Sequence, residues 1–261
     1  MTQLDQFSLT TVPIELLFNS TPLGNATSFV WKHTDDRYFL ITNWHVVSGR
    51  DALTRKYLKA HGGRPNRLLA RFNLRQRIFE KQPIDIAIRD ENDQPLWLVH
   101  PSQGPGVDVV AIPLPFRGNE PTFDMHPINT LSSAGLLTLI SMEVFILGYP
   151  FGPEPPGYPV WKRGSIAAEP DLVRLGPQYL LVDTASRPGM SGAPVIQRSW
   201  TNHLVDANYV ADNSRVATKF VGVYSGRRLA ADRSDTQLGM VWPDTYIPEI
   251  IIGNVRDNSF F

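Results

Sequence analysis

The apolar residues of this chain fall in short runs, roughly five to nine residues long, divided by turn-forming residues. Representative runs are SFVWKH, RYFLITNW, IDIAIRD, DVVAIPL, EVFILGYP, YLLVDTA, KFVGVYSG and LGMVWP, rich in Val, Ile, Leu, Phe and Tyr. Side chains of this kind suit a pleated, half-buried surface. A sustained helical period is missing except weakly at the end, where PDTYIPEIIIGNV predicts one short helix capped by Asp244. Pro248 limits that helix, because proline is tolerated only in a first turn. Many short strands at fairly even spacing predict an all-β architecture of sandwich or barrel type. About six strands lie on each side of the polar, turn-rich stretch RGNEPTFDMHPINT at 117–130.

Composition narrows the function classes. With 261 residues, 42% of them hydrophobic and 19% charged, the chain is neither disordered nor too small to bury a core. Twenty-five basic residues balance twenty-five acidic ones, so no net field favours nucleic acid or an anionic membrane. The chain has no cysteine. That removes disulfides, thiol nucleophiles and Cys-based zinc sites, and predicts a reducing, cytoplasmic setting. The first twenty residues carry no Lys or Arg, and Asp5 and Glu15 interrupt them, so no secretory signal is predicted. The sequons at Asn19 and Asn25 are then expected to carry no sugar. No apolar run approaches the roughly 18 residues of a membrane span. Phosphate-loop, HExxH and dinucleotide motifs are absent, so no metal and no cofactor is expected.

Three local features have plain readings. DENDQP at 90–95 reads as a hairpin turn and lacks the alternating ligands of a calcium loop. PEPPGYP at 153–159 reads as a rigid extended loop. Between residues 50 and 81, Arg50, Arg55, Lys56, Lys59, Arg64, Arg67, Arg71, Arg75, Arg77 and Lys81 face only Asp51 and Glu80. This segment is a solvated surface or a docking patch for a regulatory protein partner.

The chemistry-bearing residues lie far apart. Ser191, in ASRPGMSGAPVIQ, is flanked by Gly189 and Gly192, which permit a sharp turn. Such a turn lets the N–H groups of Gly189 and Ser191 point at one developing oxyanion. A serine hydroxyl needs a base near neutral pKa, and His45 follows a buried strand into a turn. The other histidines, His33, His61, His100, His126 and His203, read as surface residues. Asp108 opens the apolar strand VVAI, and a carboxylate there needs a partner such as an imidazole N–H. Asp85 has a similar context and is the rival orienter. Asp108 is favoured, because Asp85 reads as part of a hairpin strand. The chain order His, Asp, Ser differs from the Ser, Asp, His order of α/β-hydrolases.

Taken together these pieces resemble the trypsin-like (chymotrypsin-fold) serine peptidases, in particular the disulfide-free bacterial branch that includes the HtrA-type proteases. FLITNWHVV resembles the histidine segment, VDVVAIPL the aspartate segment and LLVDTASRPGMSGAPVI the nucleophile segment. LGYPFG and VWKRGSIAAE resemble the first strands of the second barrel, and KFVGVYSGR and LGMVWP the strands framing the specificity pocket. The resemblance implies two six-stranded antiparallel β-barrels with a short C-terminal helix. Residues 1–125 would carry His45 and Asp108, and 126–261 would carry Ser191. It implies Ser191 as nucleophile, His45 as base then acid, Asp108 as orienter, and Gly189 and Ser191 as oxyanion donors. Tyr224, Ser225, Gly226 and Arg227 would pair with substrate main chain, and Ala185 and Gly239 would line the specificity pocket. Both are uncharged, which implies small or medium apolar residues before the cut. An inward-turned Arg227 or Arg228 would instead favour acidic ones.

Two departures stand out. Met190 occupies the place where pancreatic-type members have Asp, so the nucleophile loop is ordered intrinsically or by a partner. The 63-position step from His45 to Asp108 includes the basic stretch, an insertion that could gate access. The expected activity is endopeptidase cleavage of protein or peptide substrates. The alternatives are a catalytically silent peptide-binding module, a partner-activated protease, or a serine hydrolase or acyl transferase acting on esters.

Overall fold

The computed structural model describes residues 4–259 apart from 53, 59–62, 119, 132–134, 153–156, 176–177, 186, 202, 206–207, 211–215 and 228–236. The side chains of 78–79, 174–175, 208–210 and 227 are likewise left undescribed. Lys59, His61, Arg228, the PEPP of the proline-rich loop and the Arg227 side chain therefore lie outside the described residues.

The chain opens with α1 (Gln6–Thr10), whose N-cap Asp5 accepts from the Phe7 N–H at 2.9 Å. The first half contains β1 (Thr11–Phe18), β2 (Thr21–Lys32), β3 (Arg37–Thr42), α2 (Trp44–Ser48), β4 (Arg67–Leu74), β5 (Arg77–Ala87), β6 (Leu98–Val99) and β7 (Val110–Arg117). The second contains β8 (Glu143–Gly148), β9 (Val160–Ile166), β10 (Leu180–Asp183), β11 (Pro194–Ser199), the hairpin β12 (His203–Val205) and β13 (Asn208–Val210), β14 (Ala217–Arg227) and β15 (Leu238–Pro243). The chain ends with α3 (Tyr246–Gly253) and β16 (Val255–Arg256). The short C-terminal helix is present, with Pro248 in its first turn. It starts one residue later than the Asp244 cap predicted, with Thr245 as N-cap and no side-chain capping bond.

The fold is chymotrypsin-like, and its two halves close differently. The second forms a closed six-stranded barrel in the order β10-β15-β14-β11-β8-β9. The first is an eight-stranded antiparallel sheet in the order β16-β6-β7-β3-β2-β1-β4-β5, where a six-stranded ring was expected. Its two edges are finished by other means. β5 carries Pro83, which cannot donate to a further strand, and β16 is only two residues long. Because β16 pairs with β6, the end of the chain returns to the first half.

Side-chain alternation explains why β3 reads as an unbroken apolar run. Tyr38 and Leu40 enter the core of the first sheet, while Phe39 and Ile41 enter a second cluster between the halves. That inter-half cluster also holds Phe29, Phe220, Val223, Trp242 and Ile247. Phe29 meets Phe220 edge-on, with ring centroids 5.4 Å apart. Burying each such ring contributes roughly 2–3 kcal/mol, so the halves are joined by a core. A third cluster, with Val144, Ile146, Met190, Val195 and Val241, fills the closed barrel.

The 90–95 segment is a tight turn. Asp90 Oδ1 accepts from the N–H groups of Asn92 and Gln94, and Arg89 bridges to Pro95. The basic segment finds partners outside itself: Arg64 pairs with Asp93 of the 90–95 turn, Arg67 with Asp85 of β5 and Arg75 with Asp124. Among the described residues no helix is long and apolar enough to cross a membrane.

Candidate active site

The imidazole is presented by α2. Asn43 ends β3 and enters the helix in an extended conformation, and the N–H of Gly49, in the left-handed region, closes the turn on His45 O at 3.1 Å. A one-turn helix thus stands where the sequence indicated only a turn. The Asn43 side chain makes no cap bond. Instead its Nδ2 donates to Asp108 O at 2.7 Å, tying the start of α2 to the segment before β7. Beneath it, the buried Trp44 indole donates to Asp257 Oδ2 at 2.7 Å, and Trp97 donates to the same oxygen at 3.1 Å.

Asp108 is 2% exposed and fully engaged. Its Oδ1 accepts from the His45 backbone N–H at 2.8 Å, and its Oδ2 lies 2.7 Å from His45 Nδ1. The Ser225 hydroxyl also donates to Oδ2. An ionised carboxylate only accepts, so Nδ1 carries the hydrogen and Nε2 keeps its lone pair. Burial lowers the basicity of the imidazole, but the charge and hydrogen bond of Asp108 outweigh it, with help from Asp51. The net pKa is raised above the ordinary histidine value. Asp85 lies elsewhere, on exposed β5, where Arg67 Nε donates to its Oδ1 at 2.8 Å.

The nucleophile loop leaves the closed barrel between β10 and β11. Gly189 and Gly192 have φ of +87° and +83°. A Cβ on Gly189 would strike Tyr149 O, and one on Gly192 would strike Thr27 O and Thr42 Oγ1. Both positions therefore require glycine. Among the described residues the N–H groups of Gly189 and Ser191 donate to no partner. Met190 points the other way. It is 1% exposed within the closed barrel, and a Cβ on Gly148 would lie 2.8 Å from its sulfur.

Thr27 of β2, which the sequence did not single out, fastens this loop to the first half. Its N–H donates to Ser191 O at 2.9 Å and its hydroxyl to Gly189 O at 2.7 Å. The same hydroxyl accepts from the Tyr149 N–H at 3.1 Å. The loop is thereby ordered within the chain, without a charged residue at position 190.

Ser191 and His45 border one cavity of about 190 Å³. Gly226 lies alongside, since a Cβ there would stand 3.8 Å from Ser191 Oγ. The Tyr224 backbone is committed to the nucleophile loop: its N–H donates to Ala193 O at 2.8 Å and its carbonyl accepts from Gly192 N–H at 2.9 Å. Its register with β15 breaks between Tyr224 and Arg227, which leaves Ser225 and Gly226 outside that ladder. The buried Tyr224 ring fills the space over Gly239, where an added Cβ would collide with it. Ala185 is partly buried just beyond β10. A larger cavity, of about 430 Å³, lies against Lys219, Asp244 and Tyr246 and shares no residue with this site.

Two histidines expected at the surface are buried. His100 Nε2 pairs with Glu249 Oε2 at 2.8 Å, and His203 Nδ1 with Ser199 Oγ at 2.9 Å. Each found a polar partner contributed by a distant or looping segment, which local polarity does not reveal.

Comparisons with known proteins give the chain a family. No curated protein matches the chain. Among solved structures, the serine endoprotease from Yersinia pestis is 12% identical, covers 98% of this chain and 69% of its own, and has a TM-score of 0.50. The inactive form of the Rv3671c protease of M. tuberculosis is 18% identical over 94% of this chain and 89% of its own, at a TM-score of 0.47. At identities this low the Yersinia likeness is one of fold alone. The profile of the trypsin-like peptidase domain matches residues 26–205, which include His45, Asp108 and Ser191, and on that match the chain belongs to the trypsin-like peptidase family.

Proposed function

We propose that this protein is a serine endopeptidase that cuts peptide bonds through an acyl-enzyme on Ser191. The observation that carries the proposal is the double engagement of Asp108 by the backbone N–H and Nδ1 of His45, which leaves Nε2 as a base in the cavity that Ser191 borders. Ser191 Oγ attacks the scissile carbonyl carbon while Nε2 takes its proton. The oxyanion meets the N–H groups of Gly189 and Ser191, which have no other described partner. Asp108 stabilises the imidazolium, which then gives its proton to the leaving amine. Water repeats the sequence in reverse and frees Ser191.

Substrate main chain would pair along Ser225, Gly226 and Arg227 as an added strand. Tyr224 contributes its ring, and its occupation of the space at Gly239 favours small residues before the cut.

A fluorophosphonate probe tests the proposal. Wild type is expected to label and Ser191→Ala to remain unlabelled, with peptide hydrolysis lost in parallel. Equal labelling of the two proteins, or labelling without hydrolysis of any peptide in a cleavage-site library, would overturn it. Because the His45 pKa is raised, its base form appears as pH rises through a value above 6.5. The acidic limb of kcat/KM should therefore lie above that of free imidazole.

A further inference from the structure

The cavity that borders Ser191 and His45 is built by the first half. Leu16 comes from β1, Leu23 and Ala26 from β2, Val46 from α2, and Leu58 and Pro65 from the insertion that follows. Among the described residues His45 is the one titratable group that lines it, and Asn25 supplies a polar side chain at its edge. Among the described residues none from β14 lines it.

A peptide bond held at Ser191 has an acyl side and an amine side. In the function proposed above, on which this inference rests, β14 takes the acyl side, and Gly226 stands next to Ser191 Oγ accordingly. The cavity opens from the same hydroxyl toward the imidazole, the group that must hand a proton to the leaving nitrogen. It therefore faces the amine side. Leu58, which lines it, is 53% exposed, so the apolar wall reaches solvent. A cavity walled by leucine, valine, alanine and proline, with one leucine half exposed and, among the described residues, no titratable group but an imidazole, is suited to one large apolar side chain.

We propose that this cavity binds the apolar side chain of the residue immediately after the scissile bond, so that the enzyme selects substrates by their leaving amine. The insertion between His45 and Asp108, through Leu58 and Pro65, is then part of the substrate site.

Acyl transfer isolates this site from the acyl side. A peptide ester with a small acyl residue forms the acyl-enzyme, which is partitioned between water and added amino-acid amides. The amide's amine nitrogen attacks the acyl carbon and its proton passes to His45 Nε2. The ester C–O bond to Ser191 breaks, and that proton returns to Oγ. Leucinamide and phenylalaninamide are expected to capture the acyl group at least about ten-fold better than glycinamide or glutamic acid α-amide. Leu58→Ser, at a largely exposed position, should cut the leucinamide-to-glycinamide ratio about three-fold or more. Leu172→Ser, on the second half and 54% exposed, should leave that ratio at the wild-type value. Equal capture of leucinamide and glycinamide by an acyl-enzyme that does form overturns this inference and leaves the peptidase proposal standing. Failure to form any acyl-enzyme overturns both.

Discussion

The two parts of the site are held by different means. The acid–base part is fixed by side-chain hydrogen bonds around one buried carboxylate: Asp108 accepts from two groups of His45 and from Ser225. The nucleophile part is fixed by backbone conformation, with two glycines at positive φ and a threonine from the other half clamping the loop. One part is set by electrostatics within a low-dielectric pocket, the other by sterics that admit no Cβ. The difference teaches where each is vulnerable. The imidazole is sensitive to charge, and the N–H groups proposed to meet the oxyanion are sensitive to shape and to the seating of one half on the other.

That contrast can be broken or sharpened in four ways. The largest effect belongs to Asp108→Asn, which presents a donor where His45 Nδ1 also donates. A fall of about 10³–10⁴ in kcat is expected, with the acidic limb of the pH profile moving down as the raising charge is lost. A fall below ten-fold would end the claim that charge governs this part. Next, Gly189→Ala collides with Tyr149 O and turns an oxyanion N–H aside. About 10²–10³ should be lost in kcat and in labelling rate, while the His45 titration followed by NMR stays in place. Thr27→Val keeps shape and removes the hydroxyl that holds Gly189 O. A loss of about ten- to a hundred-fold in kcat, with little change in KM, would show that the seam positions the loop.

The smallest effect is on stability. Lys81 of β5 reaches across the seam, its amine 5.9 Å from the Tyr149 ring and 5.8 Å from that of Tyr158. Burial pushes its pKa from 10.5 down to about 8. Between those values the unfolded chain binds the extra proton, so this group makes stability rise with pH there; below the lower value the cost of burying the charge is complete. Lys81→Met should add about 1–2 kcal/mol at pH 7, an advantage that fades between pH 8 and 10.5 in denaturant titrations.

What could be read from the chain alone follows the range of the interaction. His45, Asp108 and Ser191 were legible because each stands at the end of an apolar strand beside residues that turn the backbone. The all-β fold was legible from run length. The open first sheet was not, since closure depends on whether β5 and β16 meet, and neither strand records that locally. Asp85 was set apart from Asp108 by its hairpin strand, which is β5, but its partner Arg67 is a tertiary contact that the chain does not display. Thr27 sits unmarked within a strand, and its role comes from the seam that it faces. The Ser225 hydroxyl, read at first only for its main chain, acts on a carboxylate from the opposite half.

The bonds from Trp44 and Trp97 to Asp257 have a temporal consequence. The residue before His45 leans on a carboxylate 213 positions later in the chain. During synthesis every other part of the site leaves the ribosome first, so the floor under the histidine is laid last. A polypeptide interrupted before that point would hold a nucleophile, a base and an orienter, yet lack the footing that steadies them. Competence is thereby deferred until Asp257 itself has emerged.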